Sequence, residues 1–366
     1  MMNPKIENQT ETDDILRFTL SGVNVSIANS LRRVIISEIS TVVFKTSPHE
    51  ENKMIITKNT SRLNNEILKQ RLSCIPVYIS DPDIPIKDYI LEVDVENLTD
   101  TIMYVTTEDF KVKNIVTGEF LTKADNDKIF PPNAFTGYYI DFARLRPKIS
   151  EEIPGEKIQF TCEFSYGTAK EDAMYNVVST CSYGMTVDAI NMEIILNKKI
   201  QEWKDSGFST EVIKFEAKNW KLLEGKRVVV KDSFDFIIQS IGVFTNHELV
   251  QKAISIIIKK LENMDLMLDE NKLQINPSEN IMKNCFDIIL ENEDYTLGKI
   301  IEYAIFSKYY ENIKTVTYCG FVKMHPHDKD SIVRVAYKDT TEKMIVNQNL
   351  KECIKELIQA FHIINL

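Results

Sequence analysis

The chain has 366 residues, of which 43% are hydrophobic and 27% charged, and its formal net charge at pH 7 is -10. This length predicts two or three domains with a sizeable core. The negative charge argues against a protein that works mainly by binding phosphates, because nonspecific nucleic-acid affinity comes from neutralising backbone charge. The sequence has no apolar run of about 18 residues and no short apolar stretch after a basic start, so we expect an intracellular protein without membrane span or secretory signal.

The first quarter of the chain alternates between strand and helix patterns. Residues 18–20 predict the end of a strand, and the apolar spacing that follows predicts a helix with Ser26 as its N-cap. Short strands are predicted at 41–44 and 53–57. A polar helix is predicted over residues 64–72, and it ends there because the residue ahead of a proline resists helical geometry.

The character of the sequence changes between residues 79 and 164. Alternating runs at 89–95 and 157–164 predict strands, with a proline loop between them. We therefore predict a strand-rich domain, residues 79–164, inserted into a first module that comprises residues 1–78 and 165–264.

The second half returns to helical patterns and then repeats a mixed order. A helix is predicted over 190–203, strands at 228–230 and 233–240, and a helix over 247–264. The polar, proline-containing stretch 265–284 predicts a linker. A second module, residues 285–366, is predicted to contain strand, helix, strand, strand and helix in this order: 286–291, 296–306, 316–322, 331–337 and 350–366.

Two predicted helices carry the same apolar spacing, at offsets i, i+3, i+4, i+7, i+8 and i+11. Such a face is too apolar to be left in water. Aligning Ile27 with Leu297 also aligns the first predicted helix of one module with that of the other. It places Ser26 and Thr296 at the N-cap position of these helices. We predict two similar modules that face each other; two unrelated amphipathic helices with a common spacing are the alternative. The predicted interface consists of Val250, Ala253, Ile254, Ile257, Ile258, Leu261, Leu297, Ile301, Leu350, Cys353, Ile354, Leu357, Ile358 and Phe361.

Motifs of the first module carry a specific resemblance. Residues 24–39, with the core Ala-Asn-Ser-Leu-Arg-Arg, resemble the signature helix of the alpha family of RNA polymerase assembly subunits: bacterial alpha, archaeal D and the third subunit of eukaryotic RNA polymerase II. Residues 59–66 and 71–76 are similar to the family's second motif, where Asn65 and Ser73 replace the usual Asp and Gly.

A third segment, residues 167–175, resembles the family's Gly-x-Gly-Lys-x-His-Ala-Lys-Trp motif but departs from it at Asp172, Met174 and Tyr175.

The last module resembles a different subunit, the eleventh of RNA polymerase II and archaeal L. Residues 293–299 read Glu-Asp-Tyr-Thr-Leu-Gly-Lys where that family reads Glu-Asp-His-Thr-Leu-Gly-Asn, so Tyr295 and Lys299 are substitutions. Residues 318–326 follow the family's Gly-Tyr-x-x-Pro-His-Pro pattern. The two subunits are usually separate chains, and their fusion occurs in large nucleocytoplasmic DNA viruses. The resemblance therefore implies a viral protein found in host cytoplasm and packaged in the virion.

The resemblance implies an α+β fold of two alpha-type dimerisation modules, each a mixed sheet with two helices, that form an intramolecular pseudo-heterodimer. The implied function is that of a noncatalytic platform on which the largest and second-largest polymerase subunits meet, together with a small subunit. DNA and RNA are then reached only through the complex, and neither membrane binding nor homodimerisation is expected.

Candidate residues for binding the large subunits are Arg32, Arg33, Asn59, Glu66 and Arg71. A guanidinium suits such an interface because it can fork onto carboxylates or carbonyls.

Two other functions stay open from the residues alone. One is a nucleic-acid-binding adaptor using a local basic cluster, namely Lys204, Lys218, Lys221, Lys226, Arg227 and Lys231. The other is an enzyme with its site in the inserted domain, although that region has no histidine. We expect no cofactor and no metal, because the six cysteines are scattered without paired spacing and the pair His325 and His327 has no neighbouring cysteine or acidic cluster.

Overall fold

The computed structural model describes residues 3–81, 84–150, 152–279 and 282–364. The chain divides into two compact units. The first unit contains the residues up to Ile35, Thr180–Gln239 and the residues from Asn246 onward, and the second contains Ile36–Ser179 and Ser240–Thr245. The second unit thus includes residues 36–78 as well as the predicted insert, which does not form a compact unit by itself.

The elements of the first two thirds of the chain are the following: β1 (Lys5–Thr12), β2 (Ile15–Ser21), α1 (Val25–Ser37), β3 (Thr41–Val43), β4 (Met54–Asn59), α2 (Asn65–Ser73), β5 (Tyr89–Glu96), β6 (Met103–Thr106), β7 (Lys111–Asn114), α3 (Lys123–Ile129), β8 (Asp141–Leu145), β9 (Lys157–Glu163), β10 (Ser165–Gly167), β11 (Val178–Val187), α4 (Ala189–Asp205), α5 (Thr210–Leu222) and β12 (Val229–Ser240). The remaining elements are α6 (Asn246–Asp269), β13 (Ile275–Pro277), β14 (Cys285–Leu290), α7 (Tyr295–Ile305), β15 (Val316–Val322), β16 (Ser331–Tyr337) and α8 (Lys343–Ile363). A π-helical stretch, Phe306–Asn312, continues α7.

The first unit holds two four-stranded sheets with the same topology. One has the strand order β1-β2-β12-β11 and the other β13-β14-β16-β15. Along the chain, β2 is followed by α1 and its counterpart β14 by α7. The third strand of each sheet, β12 or β16, is followed by a long helix, α6 or α8. The strand order, which no local pattern in the sequence could give, therefore repeats.

The strand register repeats as well. In the first sheet Phe18 lies opposite Phe236, and in the second Ile288 lies opposite Val333. The offset of 270 residues that aligns Ile27 with Leu297 also aligns Phe18 with Ile288. All four strand residues are buried, so equivalent positions form the core face of each sheet.

Three expectations about these modules are wrong in detail. The second sheet was predicted to be mixed, but all three pairs of neighbouring strands among its described residues are antiparallel. The two predicted strands at 228–230 and 233–240 form the single strand β12. The stretch predicted as a linker contributes structure, since α6 continues to Asp269 and Ile275–Pro277 pair with β14; residues 280 and 281 of that stretch lie outside the described residues.

The cap of each module's first helix lies two residues earlier than predicted. The Asn24 side chain accepts a hydrogen bond from the Ser26 N–H at 2.9 Å, and the Asp294 side chain accepts one from the Thr296 N–H at 2.8 Å. Asparagine and aspartate are strong N-caps because a short side-chain oxygen satisfies an unpaired amide of the first turn. Ser26 and Thr296 are therefore inside their helices, and the error is the same in both modules.

The two modules differ between their last two strands. In the first module, β11 and β12 are joined by the helical hairpin α4–α5, whereas residues 323–330 suffice between β15 and β16. The sequence pattern predicted α4 but missed α5, whose apolar positions are largely exposed: Val212 is 44% and Phe215 68% accessible.

The second unit is built on the sheet β4-β9-β5-β7, with two small sheets, β3-β10 and β6-β8. Its core is aromatic: the ring of Phe110 stands edge-on to the rings of Phe130, Phe142 and Phe160 at centroid distances of 5.4, 5.5 and 6.2 Å. Edge-to-face packing suits the ring quadrupoles, so this cluster stabilises the unit beyond simple burial. Within the described residues, no helix has the length and apolar character needed to cross a bilayer.

Candidate functional site

The two long helices with the repeated apolar spacing, α6 and α8, pack against each other in the first unit. At the six aligned positions all residues are buried except Ile358, which is half-buried. Leu297 and Ile301 of α7 are buried too, and α7 also packs on α8. The ammonium of Lys351 on α8 pairs with the carboxylate of Asp269 at the carboxyl end of α6. The interface residues predicted from spacing thus lie on elements that contact one another.

Arg33 connects the first helix of one module to the cap of the other. Its Nη2 lies 2.9 Å from Oδ2 of Asp294, and its Nε donates to Oγ1 of Thr296 at 2.9 Å. Asp294 is the N-cap of α7, so one carboxylate both caps the helix and binds the guanidinium. The fork geometry of arginine allows both contacts at once, which a lysine ammonium could not reproduce.

The alignment of the two modules assigns a counterpart to this contact. Adding 270 to Arg33 gives Tyr303, and subtracting 270 from Asp294 gives Asn24. Asn24 and Tyr303 line the same cavity of about 570 Å³. Asn24 and Tyr303 are thus the residues that the 270-residue shift places at the positions of Asp294 and Arg33.

A second ion pair joins α6 to the loop before α7. The Lys260 ammonium lies 3.0 Å from the Glu293 carboxylate, and the two side chains are 21% and 19% exposed. Sequence reasoning missed this pair and the Arg33–Asp294 pair, because each joins residues more than thirty positions apart. One local signal was present in the sequence: Asp294 is an aspartate just ahead of the predicted helix, and aspartate is a favoured N-cap residue.

The other predicted partner-binding arginine of α1 makes a local contact. Arg32 is half-buried, and its Nε donates to the Asn29 side chain one turn earlier at 3.1 Å. Its role in partner binding stays a prediction.

Asn59 and Arg71, in the second motif, are held by hydrogen bonds within the second unit. The side-chain oxygen Oδ1 of Asn59 accepts from the backbone N–H and the hydroxyl of Ser61 at 3.0 and 2.7 Å, which fixes the turn after β4. Arg71 on α2 donates from Nε to the carbonyl of Phe142 at 2.6 Å and from Nη2 to that of Asp141 at 2.7 Å. Both side chains therefore stabilise the unit, and their contacts with a partner stay predictions.

Glu66 is different from these two residues. It is exposed in the first turn of α2, where its charge also complements the helix dipole. Arg71 is exposed as well, but its guanidinium is engaged with two backbone carbonyls.

The predicted basic cluster falls on the α4–α5 hairpin and the strand that follows. Lys221 pairs with Glu193, and Arg227 pairs with Glu224 at 3.0 Å, so part of the cluster's charge is neutralised inside the hairpin. No group of three potential metal ligands occurs among the described residues. Burial raises the pKa of the Cys162 and Cys181 thiols to about 12, so both are protonated, unreactive core residues.

Comparison with known proteins identifies the family. Residues 17–261 match the RNA polymerase Rpb3/Rpb11 dimerisation domain. The chain is similar to the Dictyostelium discoideum DNA-directed RNA polymerases I and III subunit rpac1, with 29% identity over 300 residues that cover 70% of this chain and 80% of the relative. It is also similar to the Pyrococcus horikoshii DNA-directed RNA polymerase subunit Rpo3, with 24% identity over 285 residues that cover 70% of this chain and 95% of the relative.

A plant relative shows a comparable similarity. The Arabidopsis thaliana DNA-directed RNA polymerases IV and V subunit 3B is 25% identical over 307 residues, which cover 72% of this chain and 91% of that protein. The matched domain spans more than half of the chain, from β2 to α6, and leaves β13 to α8 outside it. The chain belongs to the RNA polymerase Rpb3/Rpb11 dimerisation-domain family, and it is a noncatalytic assembly subunit of a DNA-directed RNA polymerase.

Proposed function

We propose that this member of the Rpb3/Rpb11 family is a fused subunit in which both partners of the family's dimer are carried by one chain. The third-subunit-like module comprises residues 1–78 and 165–264, with residues 79–164 as an insert. The eleventh-subunit-like module comprises residues 285–366. The two form an intramolecular pseudo-heterodimer through α6, α7 and α8.

The repeated sheet topology is the observation that carries this proposal. Two sheets with the same strand order and register, each completed by a long apolar helix, are what a duplicated dimerisation domain would have. The packing of α6 on α8 and the Arg33–Asp294 ion pair add contacts between the halves. Tethering the halves gives them an effective concentration in roughly the millimolar range, which favours closure of the interface.

As a platform, the chain would bind the largest and second-largest subunits of its polymerase, together with a small subunit of the same complex. Arg32, Arg33, Asn59, Glu66 and Arg71 are the residues proposed for these contacts. Glu66 and Arg71 support this role through their position, because both are exposed and belong to a motif that resembles the family's.

The same fusion is the basis for proposing a viral source. Polymerases of large nucleocytoplasmic DNA viruses carry such fused subunits, so we assign this chain to a viral transcription machinery located in host cytoplasm and packaged in virions. Proteomics of purified virions, with the polymerase subunits detected together, would test this assignment.

Proteolysis of the full chain tests the pseudo-heterodimer. A protease recognition sequence inserted between Asn271 and Lys272, in the exposed turn after α6, allows the halves to be separated after folding. Gel filtration of the cleaved protein at low micromolar concentration should give one peak containing both fragments. Separation into two monomeric peaks would contradict the proposal. The same cleavage after replacement of Leu357 by Asp, which places a carboxylate in the interface, should release the fragments.

Co-purification tests the platform role. Affinity purification of the tagged full chain, followed by mass spectrometry, should recover the two largest polymerase subunits in equimolar amount. Recovery of the chain without them, from cells in which the polymerase is made, would refute it.

A further inference from the structure

The second unit contains a cavity that is lined in part by the second predicted motif, through Arg62, Leu63 and Arg71. It has a volume of about 550 Å³, within the range of pockets that hold small ligands or peptide side chains. Its inner wall is apolar and comes from Leu63, Ile102, Phe142, Ala143 and Leu145. Phe142 and Leu145 are fully buried, whereas Ile102 is 59% exposed at the entrance.

Arginines surround this apolar wall. Arg62, Arg71, Arg144 and Arg146 line the cavity, against two carboxylates, Asp141 and Glu156. Glu156 is already engaged, since it accepts from Nε of Arg146 at 2.6 Å. The rim therefore carries a net positive charge in a chain whose net charge is -10.

Apart from Arg146, which pairs with Glu156, two of the guanidinium groups are held at the rim by groups that carry no negative charge. Arg71 donates to two backbone carbonyls, and these acceptors do not cancel its positive charge as a carboxylate would. The guanidinium of Arg144 lies over the ring of Tyr104, its opposite neighbour across β6 and β8, at 4.9 Å from the centroid. A cation–π contact orients an arginine while leaving its N–H donors free to bind an acceptor.

We propose that this cavity, which we call the arginine pocket, binds an acidic peptide segment of another polymerase subunit. One large apolar side chain of that segment enters the cavity and its flanking carboxylates pair with Arg62 and Arg144. The inference rests on the proposed platform function, because it takes the segment from a subunit of the same complex. Arginine beside a buried apolar pocket is a typical composition of interface hot spots.

The composition of the pocket favours a peptide over a nucleic acid. Single-stranded nucleic acids bind on exposed aromatic rings that stack with bases. The inner wall here is aliphatic apart from Phe142, which is fully buried and unavailable for stacking. The pocket therefore accommodates an aliphatic or aromatic side chain against Leu63 and Ile102, which are its accessible apolar residues, and the arginines select for carboxylates beside it.

Site-specific crosslinking in the assembled polymerase tests this assignment. The full chain carries the photo-reactive residue p-benzoylphenylalanine at position 102 and is co-expressed with the other subunits. Irradiation should crosslink it to one segment of another subunit, and mass spectrometry should find net negative charge and a large apolar residue in that segment. The double variant Arg62→Glu/Arg144→Glu should lower the crosslink yield by about tenfold or more, because each reversal replaces an attraction by a repulsion.

A matched charge reversal serves as the control. Lys87→Glu/Lys111→Glu changes the net charge by the same amount at two exposed residues of the second unit that do not line the cavity, and it should leave the yield unchanged. Crosslinks to a neutral or basic segment, crosslinks to nucleic acid, or no crosslink in a polymerase that contains the chain would overturn the pocket assignment alone. Failure of the unmodified chain to co-purify with the large subunits would instead remove the platform function and the pocket's partner together.

Discussion

The guanidinium of Arg33 lies 2.9 Å from the carboxylate that caps α7, and the residue that supplies this carboxylate is Asp294. A motif predicted from sequence to face a partner therefore binds a second motif of the same chain. The two side chains are 33% and 23% exposed, so the pair is partly shielded from solvent. Through this contact, α1 of the first module stabilises the first turn of α7 in the second module.

Replacing Arg33 should reduce stability, whatever its role toward other subunits. Arg33→Ala should lower the free energy of unfolding by about 1–2 kcal/mol, since a charge-assisted hydrogen bond to Asp294 and a bond to Thr296 are both lost. Arg33→Lys should recover only part of this loss, because one ammonium cannot reproduce the fork. Urea unfolding followed by circular dichroism measures both, and a variant as stable as the parent would contradict the contact.

The helix caps give a prediction in which two positions two residues apart, Asn24 and Ser26, respond differently to replacement by alanine. Asn24→Ala should destabilise by about 1 kcal/mol because the Ser26 amide loses its acceptor. Ser26→Ala should be neutral or slightly stabilising, since the Ser26 hydroxyl is buried without a hydrogen-bond partner among the described residues. Thermal melts of the two variants, run side by side, distinguish them; a greater loss for Ser26→Ala would restore Ser26 as the cap.

The interface between α6 and α8 predicts unequal costs for neighbouring truncations. Leu357→Ala should cost about 2–5 kcal/mol, because the side chain is fully buried and leaves a cavity. Ile358→Ala should cost clearly less, since that side chain is only half-buried. Chemical denaturation of both variants gives the comparison, and equal losses would argue against the observed orientation of α8.

Gly298 predicts a coupling between two residues of the second module. A Cβ added there would lie 2.0 Å from the ring of Phe321, which also stands edge-on to Tyr295 at 5.0 Å. Gly298→Ala should therefore destabilise by about 1–3 kcal/mol through steric crowding. In the background Phe321→Ala the same change should cost much less, and a double-mutant cycle measures the difference. Additive effects would show that the ring does not cause the strain.

Acid should weaken the second sheet through Asp287. Arg334, directly opposite it on β16, donates to both carboxylate oxygens at 2.6 and 2.7 Å and holds the pKa of Asp287 below its usual value. The pair's contribution is thus present above the unfolded pKa of about 4 and is lost as the pH falls through the lowered folded value. Urea midpoints between pH 6 and 2.5 should fall less steeply for Asp287→Asn than for the parent; parallel curves would exclude the pair as a source of acid sensitivity.

Sequence reasoning succeeded where the signal was periodic and local. The strands Val316–Val322 and Ser331–Tyr337 agree with the predicted residues, and the residues of the two apolar stripes are buried apart from the half-buried Ile358. It failed where tertiary structure decides the outcome. The strand β1 is exposed over most of its length and has no burial pattern to detect, and α5 presents apolar residues to solvent.

The site was predictable only in part for a related reason. Arg33 and Arg71 were selected by resemblance to family motifs, but their acceptors are a helix cap and two strand carbonyls far away in sequence. Sequence order cannot specify such pairings. The arginine pocket was not predictable as a pocket, because its arginines come from three separate segments, although Arg71 was selected by its motif.

The hairpin α4–α5 breaks the equivalence of the two modules. A perfectly symmetric dimer offers every surface twice and would recruit two copies of the same subunit in the same orientation. Distinguishable surfaces allow a subunit to bind unlike partners in a single orientation. In this chain the first module carries two helices between its last two strands, and the second module has residues 323–330 at that place. The two modules therefore present different surfaces, and the order of these surfaces is fixed within one covalent chain.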